Sequence, residues 1–178
     1  KKEEKMIAYL KAFGAKHNLE TKVDEAGNVL IKKPATPGKE NLQTVVLQSH
    51  IDMVCEKNND VQHDFLTDPI ETEIDGEWLK AKGTTLGADN GIGVATELAI
   101  LADDSIEHGP LECLFTVDEE TGLTGAFALK EGFMSGDILL NLDSEDEGEI
   151  FIGCAGGIDS VAESVSYTHL TLPTKRIV

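Results

Sequence analysis

The chain has 178 residues, 40% of them hydrophobic and 27% charged, with 33 Asp+Glu against 15 Lys+Arg and a net charge of −18. That length and composition fit one globular domain with a real core. So acidic a chain does not suit nucleic acid or an anionic membrane, both of which need clustered positive charge, and no apolar run is long enough to span a bilayer.

In chain order, Lys1–Phe13 places Met6, Ile7, Leu10 and Phe13 on one helical face, with Gly14 as the expected stop. Asn28–Lys32 follows a Glu-Ala-Gly turn and ends before Pro34, as a short strand would. Gln43–Gln48 is an apolar strand running into His50, and Trp78–Ala81 is a short strand after the Asp75-Gly76 turn. Ile92–Ala102 has Ile92, Ala95, Leu98, Ala99 and Ala102 at helical spacing, with Asp89 or Asn90 as its N-cap. Leu111–Val117 reads as a strand, Thr124–Leu129 as a helix start, and Asp137–Leu142 and Glu149–Gly153 as strands. Strands alternating with helices predict an α/β layered domain with a largely parallel sheet.

The segment Val165–Val178 does not fit the rest. It holds Lys175 and Arg176 but no acid, while residues 1–164 carry every acidic side chain. It contains Pro173 and has no helical period, so the domain is expected to end near residue 164, with 165–178 an unrelated, disordered tail. His169 within it is then no ligand candidate. Lys1 at the start is what a segment of a longer protein would show, and no basic-then-apolar leader follows it. Cys55, Cys113 and Cys154 form no CxxC pair, so reduced thiols and a cytoplasmic location are expected.

Chemistry-bearing side chains fall where strands stop. His50 and Asp52 are two apart and share a face; an imidazole binds a divalent metal, and a nearby carboxylate fixes its tautomer. Taken alone, this pair reads more readily as a capping His and a turn Asp. Asp89 sits in the Gly-rich loop Gly83–Gly93 before a helix, where it is either a plain N-cap or an ionised ligand. That loop lacks Gly-Lys-Ser/Thr and is not a phosphate loop. Glu119 and Glu120 are adjacent, so their side chains diverge: one can bind metal while the other serves as a general base, or both are simply a solvated acidic turn. Asp143 ends the apolar run Ile138–Leu142, and the residues after it fail the EF-hand pattern because Cys154 stands where Glu is needed. No GxSxG elbow is present, which leaves covalent catalysis unsupported.

The order HxD, Gly-rich-loop Asp, DEExG and strand-terminal Asp resembles the co-catalytic di-zinc exopeptidases, the aminoacylase, glutamate carboxypeptidase and dipeptidase group. The strings LQSHIDMVCEKN, LKAKGTTLGADNGIGVA, LFTVDEETGLTGA and LLNLDSEDEGEIFIGCAGG resemble its bacterial dipeptidase branch, over about Lys1 to Ala162. The resemblance implies a three-layer zinc-peptidase-like fold, incomplete here, and hydrolysis of dipeptides (Xaa-His and broader) through a zinc-bridged hydroxide. It implies two Zn2+, with Co2+ or Mn2+ as substitutes. His50 and Asp143 would hold one metal, Glu120 would help hold the other, and Asp89 would bridge both. Asp52 would orient His50 and Glu119 would be the general base. The metals would lie ~3.5–4 Å apart, as in other two-metal hydrolases. It also implies a longer, homodimeric parent with a lid and a C-terminal half that supplies the last histidine of the second site. The chain by itself is therefore expected to be inactive or weak. Alternative readings are a non-catalytic acidic metal-binding module and a related N-acyl amino acid deacylase or carboxypeptidase.

Overall fold

The computed structural model describes residues 3–144 and 148–153. Residues 3–144 lie in one compact unit, and 148–153 belong to a second one. The proposed boundary at 164, Cys154 and the 165–178 tail lie outside the described residues.

The first unit contains helices α1 (Glu4–Lys16), α2 (Ala88–Ala102) and α3 (Thr124–Ala128). Its strands are β1 (Glu20–Val23), β2 (Val29–Lys33), β3 (Val45–His50), β4 (Thr72–Asp75), β5 (Trp78–Ala81), β6 (Leu111–Thr116) and β7 (Ile138–Asn141). Five strands form one sheet in the order β1-β2-β6-β3-β7, and β4-β5 is a separate hairpin. β6, β3 and β7 are parallel, whereas β1 and β2 join antiparallel. The parallel part carries the site.

Strand alternation sorts the core. Val29, Ile31, Leu47, Cys113 and Phe115 face Leu10 of α1 and Val94 and Leu101 of α2, and all are buried. On the opposite face Leu30, Val46 and Leu114 are covered by Leu129, Phe133 and Met134. Each fully buried side chain of this kind stabilises the fold by about 1.5–3 kcal/mol. Lys33 secures α2 from the sheet, its Nζ donating to the carbonyls of Ile100 and Asp103 at 3.0 and 2.6 Å. A cation there also complements the negative end of the helix dipole.

Three expectations need correction. Gly14 does not stop α1: the helix runs on to Lys16 and ends in a Schellman turn around Asn18, with φ 54°. Leu19 N–H donates to Gly14 O and Asn18 N–H to Ala15 O. Gly14 is required instead by close packing, since a Cβ there would stand 2.0 Å from Thr21 Oγ1. Second, α2 is entered through Gly87, and Asp89 and Asn90 have non-helical backbone angles, so neither is a simple N-cap. Third, residues 149–153 form no strand, because no neighbouring strand among the described residues accepts or donates the hydrogen bonds an extended segment needs.

Candidate metal centre

The parallel register brings the strand exits level. His50 at the end of β3 pairs with Thr116 at the end of β6, and Gln48 pairs with Asn141 at the end of β7. The acidic turn at Glu119-Glu120 and Asp143 thus emerge beside His50, at the carboxyl edge where open α/β sheets place their sites. A rail of side-chain bonds locks the three strands: Asn141 Nδ2 donates to Gln48 Oε1 (2.6 Å) and Gln48 Nε2 to Thr116 Oγ1 (3.1 Å). Asn141 Oδ1 in turn accepts the Asp143 N–H at 3.1 Å.

His50 is only 2% exposed. Its Nε2 lies 3.1 Å from Asp89 Oδ1 and 3.7 Å from Asp143 Oδ1. Its Nδ1 lies 3.0 Å from the Asp52 carbonyl and 3.4 Å from the Asp52 carboxylate, so the backbone oxygen is the nearer partner. His50, Asp89 and Glu120 each offer a ligand atom, all within 4.8 Å of one another. Asp143 joins the same pocket through His50 but lies outside that tightest group.

Asp52 does more than face His50. Its Oδ1 accepts the Glu119 N–H at 3.0 Å and its Oδ2 the Glu120 N–H at 3.1 Å. One carboxylate therefore fixes the acidic turn to the end of β3. Asp118, with φ 56°, starts that turn, and its carboxylate takes the hydroxyls of Thr121 and Thr124.

Burial pulls the His50 imidazole down, but the carboxylates of Asp143, Asp89, Asp52 and Glu119 outweigh it and hold the ring above its ordinary value. Burial raises Glu119, helped by Asp143, Glu120 and Asp52 and opposed by His50. Nδ1 of His50 faces the Asp52 carbonyl and Nε2 faces the Asp89 carboxylate, so a ring protonated on Nδ1 turns its Nε2 lone pair toward carboxylates, where a divalent cation would fit between them. A neutral imidazole with carboxylates is a donor set that suits zinc, cobalt and manganese. The residues present fit a divalent metal.

The sequence pointed to His50, Asp52, Asp89, Glu119, Glu120 and Asp143, and the structure brings these to one strand edge. It missed Gln48, Thr116, Asn141 and the hydrogen-bonding role of Asn90. Gln48-Ser49-His50 and Asn141-Leu142-Asp143, each with two polar residues two apart, carried a signal for two of them.

Fold and site together define an α/β domain with a metal-type donor cluster at the carboxyl edge of its sheet. Residues 46–168 match Peptidase family M20/M25/M40, and the chain belongs to that family. It is 57% identical over 157 residues to the cytosol non-specific dipeptidase of Escherichia coli (strain K12), covering 88% of this chain and 32% of that protein. The crystal structure of aminoacylhistidine dipeptidase from Vibrio alginolyticus superposes with a TM-score of 0.84 at 58% identity, covering 86% of this chain and 31% of the other. Aminopeptidase PepT from Bacillus cereus ATCC 10987 superposes with a TM-score of 0.68 at 26% identity, over 82% of this chain and 39% of that one. The chain thus spans about a third of the length of the dipeptidases it matches. The dipeptidase resemblance read from the motifs is met by these relatives.

Proposed function

We propose that this chain is the metal-holding part of a cytoplasmic dipeptidase that cleaves Xaa-His and other dipeptides. The observation that carries the reading is the convergence of His50, Asp89 and Glu120, with Asp143 alongside and Asp52 gripping the turn that bears Glu119. His50 and Asp143 would hold one zinc, Glu120 would help hold the second, and Asp89 would bridge them. When bound, such a metal pair lowers the pKa of water and polarises a carbonyl.

The protein groups do the rest. With the Nδ1 proton donated in a hydrogen bond to the Asp52 carbonyl, the His50 ring keeps the lone pair of Nε2 free for metal. Glu119, anchored through its N–H but no ligand in this assignment, takes a proton from water and hands it to the leaving amine. A carboxyl raised by burial suits that task.

For the second metal the described residues offer Asp89 and Glu120, fewer than the three protein ligands usual for catalytic zinc. The 178-residue chain should therefore bind close to one tight zinc and show no chelator-sensitive turnover. A longer homodimeric protein carrying this sequence should be active. The test is zinc titration of the chain and its His50→Ala variant, with a panel of dipeptides and N-acyl amino acids offered to the longer protein. Equal zinc binding by His50→Ala, or preference for N-acyl amino acids, would sink the reading.

A further inference from the structure

Asn90 lies inside the Gly-rich loop motif yet has no part in the ligand set above. It is 2% exposed. Its Nδ2 donates to the Leu142 carbonyl at 3.2 Å and to Asp143 Oδ1 at 2.5 Å. Both of those neighbours can only accept, which sets the carboxamide with its nitrogen toward them. Its Oδ1 lies against Gly93, where a Cβ would stand 1.9 Å from that oxygen and 3.0 Å from the Ser49 Cβ. That oxygen is buried and meets no hydrogen-bond partner. An unmet buried acceptor is unfavourable, so packing alone is a poor account of an amide here.

The oxygen that Asn90 holds is the one that stands 3.7 Å from His50 Nε2. Asp143 lies two residues past the last paired position of β7, so the sheet does not fix its side chain. Its backbone N–H is held by Asn141 Oδ1, and its carboxylate by Asn90. We propose that Asn90 is a positioning residue for metal binding: seated over the bare Cα of Gly93, its carboxamide aims the Asp143 carboxylate at the metal side of His50. Gly93 is then part of the same device, and replacing either residue has one outcome. This rests on the metal reading of the site.

The experiment measures zinc affinity of the 178-residue chain by competition with a chromophoric chelator, alongside thermal melts of the same samples. Asn90→Leu, which keeps volume but removes the donor, should weaken zinc binding about 10–100-fold, the usual loss for a partner that orients a ligand. Gly93→Ala should do the same, and the double variant should be no weaker than the weaker single, because both break one contact. Gly91→Ala, with nothing within 4 Å of its added carbon, should leave affinity unchanged. Lower melting temperatures with wild-type zinc affinity would overturn the proposal. If His50→Ala also binds like the wild type, the metal reading falls with it; if only His50→Ala loses zinc, the positioning role alone is wrong. Should the variants unfold, amide exchange in the wild type decides. The Asn90 side-chain protons should exchange slowly before zinc is added, and rapid exchange would refute the clamp.

Discussion

Asp52 and Glu119 are 67 residues apart in sequence and joined by one hydrogen bond: the Asp52 Oδ1 accepts the Glu119 N–H at 3.0 Å. With the companion bond to Glu120 N–H, this carboxylate sets the height of the acidic turn above His50. Asp52→Asn turns one acceptor oxygen into an NH2 that faces a backbone N–H. We expect a loss of about 1 kcal/mol in stability, since the donors are only partly buried, and zinc affinity about 10–100-fold weaker. Denaturant melts and chelator competition measure the two effects, and unchanged zinc affinity would show that the turn is not set by Asp52.

Glu119→Gln in a longer protein that carries the whole active site should keep the zinc content and lose turnover by about 10²–10⁴-fold. The substitution removes a base and leaves the assigned ligands in place. Loss of zinc, measured by metal analysis of the purified variant, would instead make Glu119 a ligand.

Glu97 is fully buried on α2, with Ser49 and Cys113 beside it but neither completing a hydrogen bond to its carboxyl oxygens. Burial pushes its pKa from 4.5 to about 9. The folded chain therefore keeps a proton that the unfolded chain gives up, and stability falls as pH rises from about 4.5 through about 9. Glu97→Gln removes the titration, so it should flatten that slope and raise stability at pH 8 by on the order of 1–3 kcal/mol. Urea unfolding at a series of pH values checks both; an unchanged slope would place the titration elsewhere.

Glu112 is 2% exposed and fastens β6 to the turn before β7. It pairs with Lys32 Nζ at 2.6 Å and accepts the Ser135 N–H at 2.7 Å and the Gly136 N–H at 3.2 Å. Burial works to raise its pKa, but the hydrogen bonds from Lys32 and Ser135 prevail and hold it below the usual range. Its contribution is present above the ordinary carboxylate pKa and is lost as pH falls through the depressed one. Glu112→Leu leaves Lys32 without its partner and should cost about 3 kcal/mol at neutral pH, shrinking in acid. A Tm equal to that of the wild type at pH 7 would contradict this.

How much of this was legible beforehand varies from element to element. β2, β3, β5 and β6 were visible as apolar runs bounded by turns, and the ends of β3 and β7 named His50 and Asp143 directly. β1 was not, because Glu20–Val23 is a polar edge strand that takes its shape from β2 and has no apolar alternation of its own. The antiparallel attachment of β2 to β6 was hidden too, since periodicity tells that a strand is buried and says nothing of its neighbour's direction. Asp89 looked like a helix cap because that reading costs nothing in sequence. In the structure its backbone is extended, and its carboxylate turns to His50. The reach of Asp52 to Glu119 belongs to the fold alone, as no spacing along the chain encodes a contact between two strand exits.

The crowd of acids around His50 also bears on speed. The ion pairs of the described residues place Lys22, Lys32, Lys33, Lys39, Lys80 and Lys130 on partners away from this pocket. Among the ion pairs of the described residues no ammonium is set against Asp52, Asp89, Glu119, Glu120 or Asp143, so these carboxylates set up a local negative potential within a chain of net charge −18. A doubly charged cation approaching from solvent is drawn down that gradient before it touches a ligand atom. Capture of the ion should therefore be fast in dilute buffer and slow steeply as salt shortens the range of the field.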